Sequence, residues 1–326
     1  MTPTRPADIF SLVADIGGTN TRVALSRGAH LIKDTIRRYR NADHGDLASV
    51  LSRFLSEMGG VDCKSACVAV AGPVRDGCAR MTNLDWVLDL ATLEQATRAD
   101  NVSLLNDLQA QGYALGRLAQ DHLRPILTAP VPPANATRLV IGVGTGFNTA
   151  AVFEVAGTRL VTPSETGHTN FPALTPEDCA LADFVARRHG FPGLDDIVSG
   201  RGLENTYAWL TRDDSARAPL KAAEIMDALA RGDDPAAIAA VAQFIRMLGR
   251  VAGNLALTYL PFGGIYLAGG VARAMAPHLA QFDFAACFAD KGRFVDFMAA
   301  FPLSVIEDDY AALTGCAAQL DQLDAP

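Results

Sequence analysis

Lysine is scarce in this chain: there are only four, Lys33, Lys64, Lys221 and Lys291, and none follows a glycine. A Walker phosphate loop, which needs Gly-Lys at the mouth of a helix, is thereby excluded. The dinucleotide fingerprint G-x-G-x-x-G is missing too, because Gly142, Gly144 and Gly146 run G-x-G-x-G into a second apolar stretch rather than a helix. No G-x-S-x-G elbow occurs. The six cysteines (Cys63, Cys67, Cys78, Cys179, Cys287, Cys316) form no C-x-x-C pair. A chain this long needs no disulfide staples, so reduced thiols in a cytoplasm are expected. Positive charge is also short, with 28 Lys and Arg against 36 Asp and Glu and a net charge of −8. That balance argues against a nucleic-acid stripe and against a polybasic membrane anchor. The N-terminal MTPTRPAD shows no charged-then-apolar leader, and the apolar stretch Gly263 to Ala276 is interrupted by Gly and Arg before it reaches the length of a span. The expectation is a soluble cytoplasmic protein with neither nucleic acid nor membrane as a partner.

What is present is an ordinary globular composition, 49% hydrophobic and 20% charged. The 326 residues exceed one usual core, which predicts two domains. The stretch LVADIGGTNTRVAL at 12–25 has a second copy, LVIGVGTGFNTAAV at 139–152. Aligned, Gly17 falls on Gly144, Gly18 on Thr145 and Thr19 on Gly146. Each copy reads as strand, turn, strand, with small residues and a hydroxyl at the bend. Such bends let backbone N–H groups approach an anion, so two of them facing one another suit a polyphosphate. A plain hairpin turn is the simpler account of either copy alone. Only the first carries an acid, Asp15, which suits a hydrated Mg²⁺ on one side of a nucleotide.

Strand-like runs sit at 9–14, 21–25, 67–71, 102–105, 138–143, 149–154, 265–268 and 303–306. Helical patterns sit near 44–58, 89–98, 107–119, 177–189, 201–211, 219–231, 235–259, 271–280 and 309–322. The alternation means an α/β protein, and the Pro-rich stretch 128–134 reads as a connector. Gly269-Gly270, between a strand and a helix, is a bend against which a ribose or flat ring can lie. Asn106-Asp107 falls where a strand ends and a helix begins, the edge at which open α/β sheets place ligands. The dipeptide equally suits an N-cap, and a carboxylate there is favoured as the anion that a general base must be. Glu165-Thr-Gly-His168 offers an acceptor beside an imidazole, a match for sugar hydroxyls, although two incidental loop residues would look the same.

The segments ADIGGTNTR, MTNLDW, LLNDLQAQGYAL, GVGTGFNTA, SETGHTNF, DDIVSGRGLENTY, FGGIYLAGGVA and ADKGRF occur in the order and approximate spacing of bacterial glucokinases, which the chain resembles over nearly its whole length. The resemblance implies the sugar-kinase, actin and heat-shock ATPase architecture: α/β, two ribonuclease-H-like domains with mixed sheets flanked by helices, and a cleft between them. Residues 1–117 plus 309–326 would form a small domain with the first phosphate loop and the catalytic acid. Residues 118–308 would form a large domain with the second loop, the sugar loop and the adenosine glycines. The implied reaction is transfer of the ATP γ-phosphoryl group to the 6-hydroxyl of glucose. Asp107 is similar to the family's base and also contacts substrate. Asn106, Glu165, His168 and Asp195 fall on sugar-binding positions, with Asp195 one methylene shorter than the family's glutamate. Ala14, Asp15, Ile16, Gly17, Gly18 and Thr19 fall on the ATP segment, completed by Gly144, Thr145, Gly146, Gly269 and Gly270. Mg²⁺ would be held by Asp15 through water. No Cys-rich loop follows His168, so the chain looks like the branch without structural zinc. Asn148 stands where the second loop usually continues with glycine. A homodimer is the expected assembly. The rival readings are a kinase for another hexose or an amino sugar, and a non-catalytic sugar-sensing regulator. The second lacks a recognition helix.

Overall fold

A computed structural model describes residues 9–325 apart from Thr82, Asn83 and Asp85, so most of the polar part of MTNLDW lies outside the described residues. The chain divides into two compact units, one running to Ala119 and resuming at Asp308, the other Gln120–Glu307.

In the first unit β1 (Phe10–Ile16) turns back as β2 (Asn20–Arg27), with β3 (His30–Leu31) and β4 (Arg37–Arg40) both pairing onto β2. Helix α1 (Leu47–Glu57) crosses to β5 (Cys63–Val70). A small sheet of β6 (Val74–Arg75), β7 (Cys78–Arg80) and β8 (Val87–Asp89), then α2 (Leu90–Thr97), leads to β9 (Asn101–Asn106) and α3 (Asp107–Ala114). The main sheet runs β3-β2-β1-β5-β9, with β1 antiparallel to β2 and β1, β5 and β9 parallel.

In the second unit β10 (Leu123–Leu127) precedes β11 (Arg138–Val143), β12 (Phe147–Val155) and β13 (Thr158–Pro163). Four helices follow, α4 (Pro176–His189), α5 (Gly200–Leu210), α6 (Ala222–Arg231) and α7 (Pro235–Tyr259). Then come β14 (Ile265–Ala268), α8 (Gly270–Met275), α9 (Phe284–Ala289) and β15 (Leu303–Ile306), and the last helix, α10 (Ala311–Leu323), belongs again to the first unit. The sheet order β13-β12-β11-β14-β15 repeats β3-β2-β1-β5-β9: an antiparallel hairpin extended by two parallel strands. The internal sequence repeat is thus a repeat of topology, and β10 adds an antiparallel edge to the second copy.

Burial explains why β1 reads as a continuous apolar run. Leu12, Ala14 and Ile16 face a core with Val50, Leu51 and Phe54 of α1, while Val13 faces Leu313, Cys316 and Leu320 of α10. A sheet covered on both faces asks for apolar residues on both. Helix α10 sits so close to α3 that a Cβ on Gly315 would lie 1.7 Å from the Ala110 carbonyl oxygen. Helix α7 is long and apolar enough to cross a membrane by length and composition, the one such helix among the described residues and one that the sequence reading passed over. Here that apolarity lies inside the second core, where Phe244, Leu248 and Val251 belong to the same buried cluster as Leu139, Ile141 and Val143 of β11.

Differences from the sequence reading have local causes. β1 runs on through Asp15 and Ile16, which pair with Arg22 and Thr21, so the acid lies in the strand and not in the bend. The α3 pattern stops at Ala114 instead of 119. β4 is masked by three arginines, β10 by Pro125 on an edge, and α9 by its six-residue length. The last helix opens at Ala311, two residues after the expected start.

Candidate active site

In the first unit the parallel strands set the geometry. Ile16 pairs with Val70 and Val70 with Asn106, so the first bend and Asn106-Asp107 leave the same sheet edge two strand spacings apart, about 10 Å. Asp15 and Asp107 are therefore separate groups with β5 between their strands, not a carboxylate pair. Asp15 is met across the hairpin by Arg22 Nη1 at 3.2 Å. Burial pushes the Asp15 carboxyl up, and the Arg22 charge and hydrogen bond oppose it. The Gly17 amide donates to the Asn20 carbonyl at 3.0 Å, closing the bend.

A residue that sequence reasoning missed holds this bend. Asn41 is buried, donates Nδ2 to the Gly17 carbonyl at 2.8 Å and accepts from Thr21 Oγ1 at 2.8 Å. Its own amide donates to the Thr19 carbonyl at 2.9 Å. Nothing in RNADH marks it, because the contact spans a strand and a turn.

The two readings of Asn106-Asp107 separate cleanly. Asn106 is the N-cap of α3: its Oδ1 accepts from Gln109 N at 2.7 Å, and Gln109 Oε1 accepts from Asn106 N at 3.1 Å. This reciprocal box satisfies the helix start without Asp107. Asp107 is the first helical residue, half-buried, with Oδ1 accepting from Leu108 N at 2.9 Å. A carboxylate at this position suits general-base work.

In the second unit the bend Gly144-Thr145-Gly146 is tighter by one residue than the first, and the Gly144 amide donates to the Gly146 carbonyl at 2.9 Å. Two elements close on it. The Gly200 amide at the start of α5 donates to the Gly144 carbonyl at 2.8 Å. On the other side Gly269, at φ +107°, comes so near that a Cβ would stand 2.5 Å from the Val143 carbonyl oxygen, so this position requires glycine twice over. Gly270 begins α8 with open space around it.

Asp195 touches this bend directly: its Oδ1 accepts from the Phe147 amide at 2.5 Å, and its Oδ2 pairs with Arg201, which also reaches Asp196 at 3.5 Å. Glu165 and His168 lie at either end of a short 3-10 turn, both exposed, and the turn's Gly167 packs on the Phe147 carbonyl so tightly that a Cβ would stand 2.1 Å away. Asn148 donates Nδ2 to Glu165 Oε2 at 3.2 Å. The 165–168 turn, the second bend and Asp195 thus form one interlocked cluster. Among the described residues no group of three or more His, Cys, Asp or Glu is placed to hold a metal. Asp15 offers a single carboxylate near the end of β1, two residues before the glycine bend, and a lone carboxylate fits a cation that brings its own water and phosphate oxygens.

A repeated hairpin-plus-parallel sheet, each copy ending in a glycine bend, with an acid at a helix start beside one bend and a polar loop beside the other, defines the two-domain class of actin-like sugar kinases. Comparison with known proteins narrows the class. The glucokinase family model matches residues 12–323. A glucokinase of Erwinia tasmaniensis is 31% identical over 314 residues, covering 96% of this chain and 97% of that protein. One from Mesorhizobium japonicum is 32% identical over 308 residues, covering 94% and 90%. The crystal structure of a glucokinase from an Antarctic psychrotroph superposes with a TM-score of 0.84 at 30% identity, covering 95% of this chain and 98% of that one. The chain belongs to the glucokinase family.

Proposed function

We propose that this protein transfers the γ-phosphoryl group of ATP to the 6-hydroxyl of glucose, with Asp107 as general base. The observation that carries the reading is that Asn106 and Gln109 cap α3 between them, with Asp107 the first helical residue at the carboxyl end of β9. The base takes the proton of the attacking hydroxyl, a step that phosphoryl transfer needs alongside positioning and charge neutralisation. Asn106 Nδ2, Glu165, His168 and Asp195 hold sugar hydroxyls. The 14–19 segment and Gly144, Thr145 and Gly146 hold the phosphates, and Gly269 and Gly270 lie against the adenosine. Mg²⁺, held by Asp15 through water, supplies charge neutralisation at the phosphates. Exclusion of water from the site protects the phosphoryl group from hydrolysis. A homodimer in the cytoplasm, without nucleic-acid or membrane partners and without structural zinc, completes the proposal. A kinase for another hexose or an amino sugar is the second reading, favoured by Asp195, whose shorter carboxylate is engaged by Phe147 and Arg201.

The test is a coupled ADP-release assay over a hexose panel. Glucose is expected to be the best acceptor; equal rates with fructose or N-acetylmannosamine overturn the sugar assignment and keep the kinase. Glu165→Ala and His168→Ala are each expected to raise the glucose KM about 5- to 150-fold, the worth of one buried polar group left unpaired, with the ATP KM little changed. A larger rise in the ATP KM removes these residues from the sugar site.

Asp15→Ala is expected to raise the Mg²⁺ and ATP requirement while calorimetric glucose affinity stays within about twofold of wild type, since the ion pair of its carboxylate is with Arg22 across the hairpin and not with a sugar-side group. Loss of both affinities together, with the fold intact by circular dichroism, assigns Asp15 another role.

A further inference from the structure

The residue that breaks the family's glycine pattern, Asn148, makes four hydrogen bonds through its side chain. Its Oδ1 accepts from Thr149 N at 2.8 Å, Thr166 N at 3.0 Å and Ser164 Oγ at 3.0 Å. Its Nδ2 donates to Glu165 Oε2 at 3.2 Å. The hydroxyls of Thr149, Ser164 and Thr166 lie 2.8, 2.7 and 2.8 Å from one another, and their three protons are shared among these contacts and Asn148 Oδ1. Glycine at 148 would remove the four bonds of the Asn148 side chain and leave the three hydroxyls in contact. Glu165 is exposed, and the Asn148 amide is its side-chain partner in this unit. A long exposed carboxylate with one oxygen pinned has far fewer orientations to lose when it accepts a hydroxyl.

Asn148 also stands at a junction. The residue before it, Phe147, donates its amide to Asp195 at 2.5 Å, so consecutive residues at the head of β12 hold both sugar-side acids, one through the backbone and one through a side chain. The shorter acid at 195 and the asparagine at 148 are the two departures from the family pattern, and they meet on adjacent residues.

On the reading that this cluster binds the sugar, we propose that Asn148 is a positioning residue that fixes Glu165 through Nδ2, leaving Oε1 as the directed acceptor for a sugar hydroxyl and so setting sugar affinity and selectivity. It touches no reacting atom and acts through Glu165 alone. A purely structural role, bracing the loop through Oδ1, predicts a different response, because Asn148→Asp keeps the shape and the Oδ1 acceptor but replaces the donor with a second carboxylate.

The experiment is calorimetric glucose binding and steady-state kinetics on wild type, Asn148→Asp, Asn148→Gly, Glu165→Ala and the double variant Asn148→Gly with Glu165→Ala, each checked by thermal unfolding. Asn148→Asp is expected to weaken glucose binding at least about tenfold, the scale of one charge-assisted hydrogen bond, with the ATP KM within about twofold. Asn148→Gly should lose less, since it frees Glu165 without repelling it. In the Glu165→Ala background, which itself weakens glucose binding, Asn148→Gly should add little further loss, because the residue it acts through is gone. Glucose binding by Asn148→Asp within twofold of wild type overturns the proposal, as does Asn148→Gly costing as much in the Glu165→Ala background as in wild type. If Asn148→Asp unfolds, the glycine variant in the two backgrounds carries the same comparison. Failure of the wild type itself to bind glucose is a separate outcome: it removes the sugar reading on which the proposal rests.

Discussion

Asp107→Asn is expected to lower kcat by about 10²–10⁴-fold, the usual worth of a general base, while leaving glucose and ATP binding and thermal stability close to wild type. The substitution is near-isosteric, and its remaining oxygen can still accept from Leu108 N, now at 2.9 Å. Helix α3 keeps its start because the cap is Asn106 and its reciprocal partner Gln109. Neither fold nor pocket shape should therefore confuse the result. Turnover above about a tenth of wild type would remove Asp107 as the base. Asn106→Ala is the contrasting variant, since it strips the cap and should cost stability.

The largest stability loss is expected at a site with no place in the chemistry. Asp178 is fully buried at the start of α4, where its carboxylate accepts from Leu174 N at 3.1 Å, Thr175 N at 3.0 Å and Gln243 Nε2 at 3.0 Å, and pairs with Arg250 of α7. Asp178→Ala leaves the Arg250 guanidinium, itself largely buried, without its counter-charge, and removing one partner of a buried pair costs about 3–5 kcal/mol. Urea unfolding of this unit, followed by Trp209 fluorescence in a Trp86→Phe background, measures it; a loss below about 1 kcal/mol would mean that the pair is not a linchpin. The pH dependence has a defined sign. Burial raises the Asp178 carboxyl, but the Leu174 and Thr175 amides and Arg250 outweigh it and hold the folded value below the ordinary 3.8. Its contribution is thus present above that value and fades as pH falls through the lower folded one. Wild type should lose part of its margin over Asp178→Ala only in that acid range.

How far the site was legible in the sequence follows from how local each signal is. Glycine bends flanked by apolar runs announce themselves because strand, turn and strand are contiguous, and their duplication marked both halves of the fold. Asn106-Asp107 was visible as a strand-to-helix junction, but which residue capped the helix depended on Gln109 turning its side chain back. Asn41 was invisible for the opposite reason, since it acts on Gly17 from 24 residues away. Asn148 was visible only as an oddity in a loop pattern, and its partners lie 16 to 18 residues on.

By itself the sequence determined the α/β class, the duplication, the two glycine bends and the residues able to do acid–base and hydroxyl chemistry, because periodicity and turn chemistry are properties of neighbouring residues. Only the tertiary structure decided that Asp15 belongs to a strand and answers Arg22, that Asp195 holds the second bend through Phe147, and that a 25-residue apolar helix is core. Those outcomes depend on strand register and on segments far apart in the chain meeting within hydrogen-bond reach, and a directional contact over a few ångströms is settled by packing.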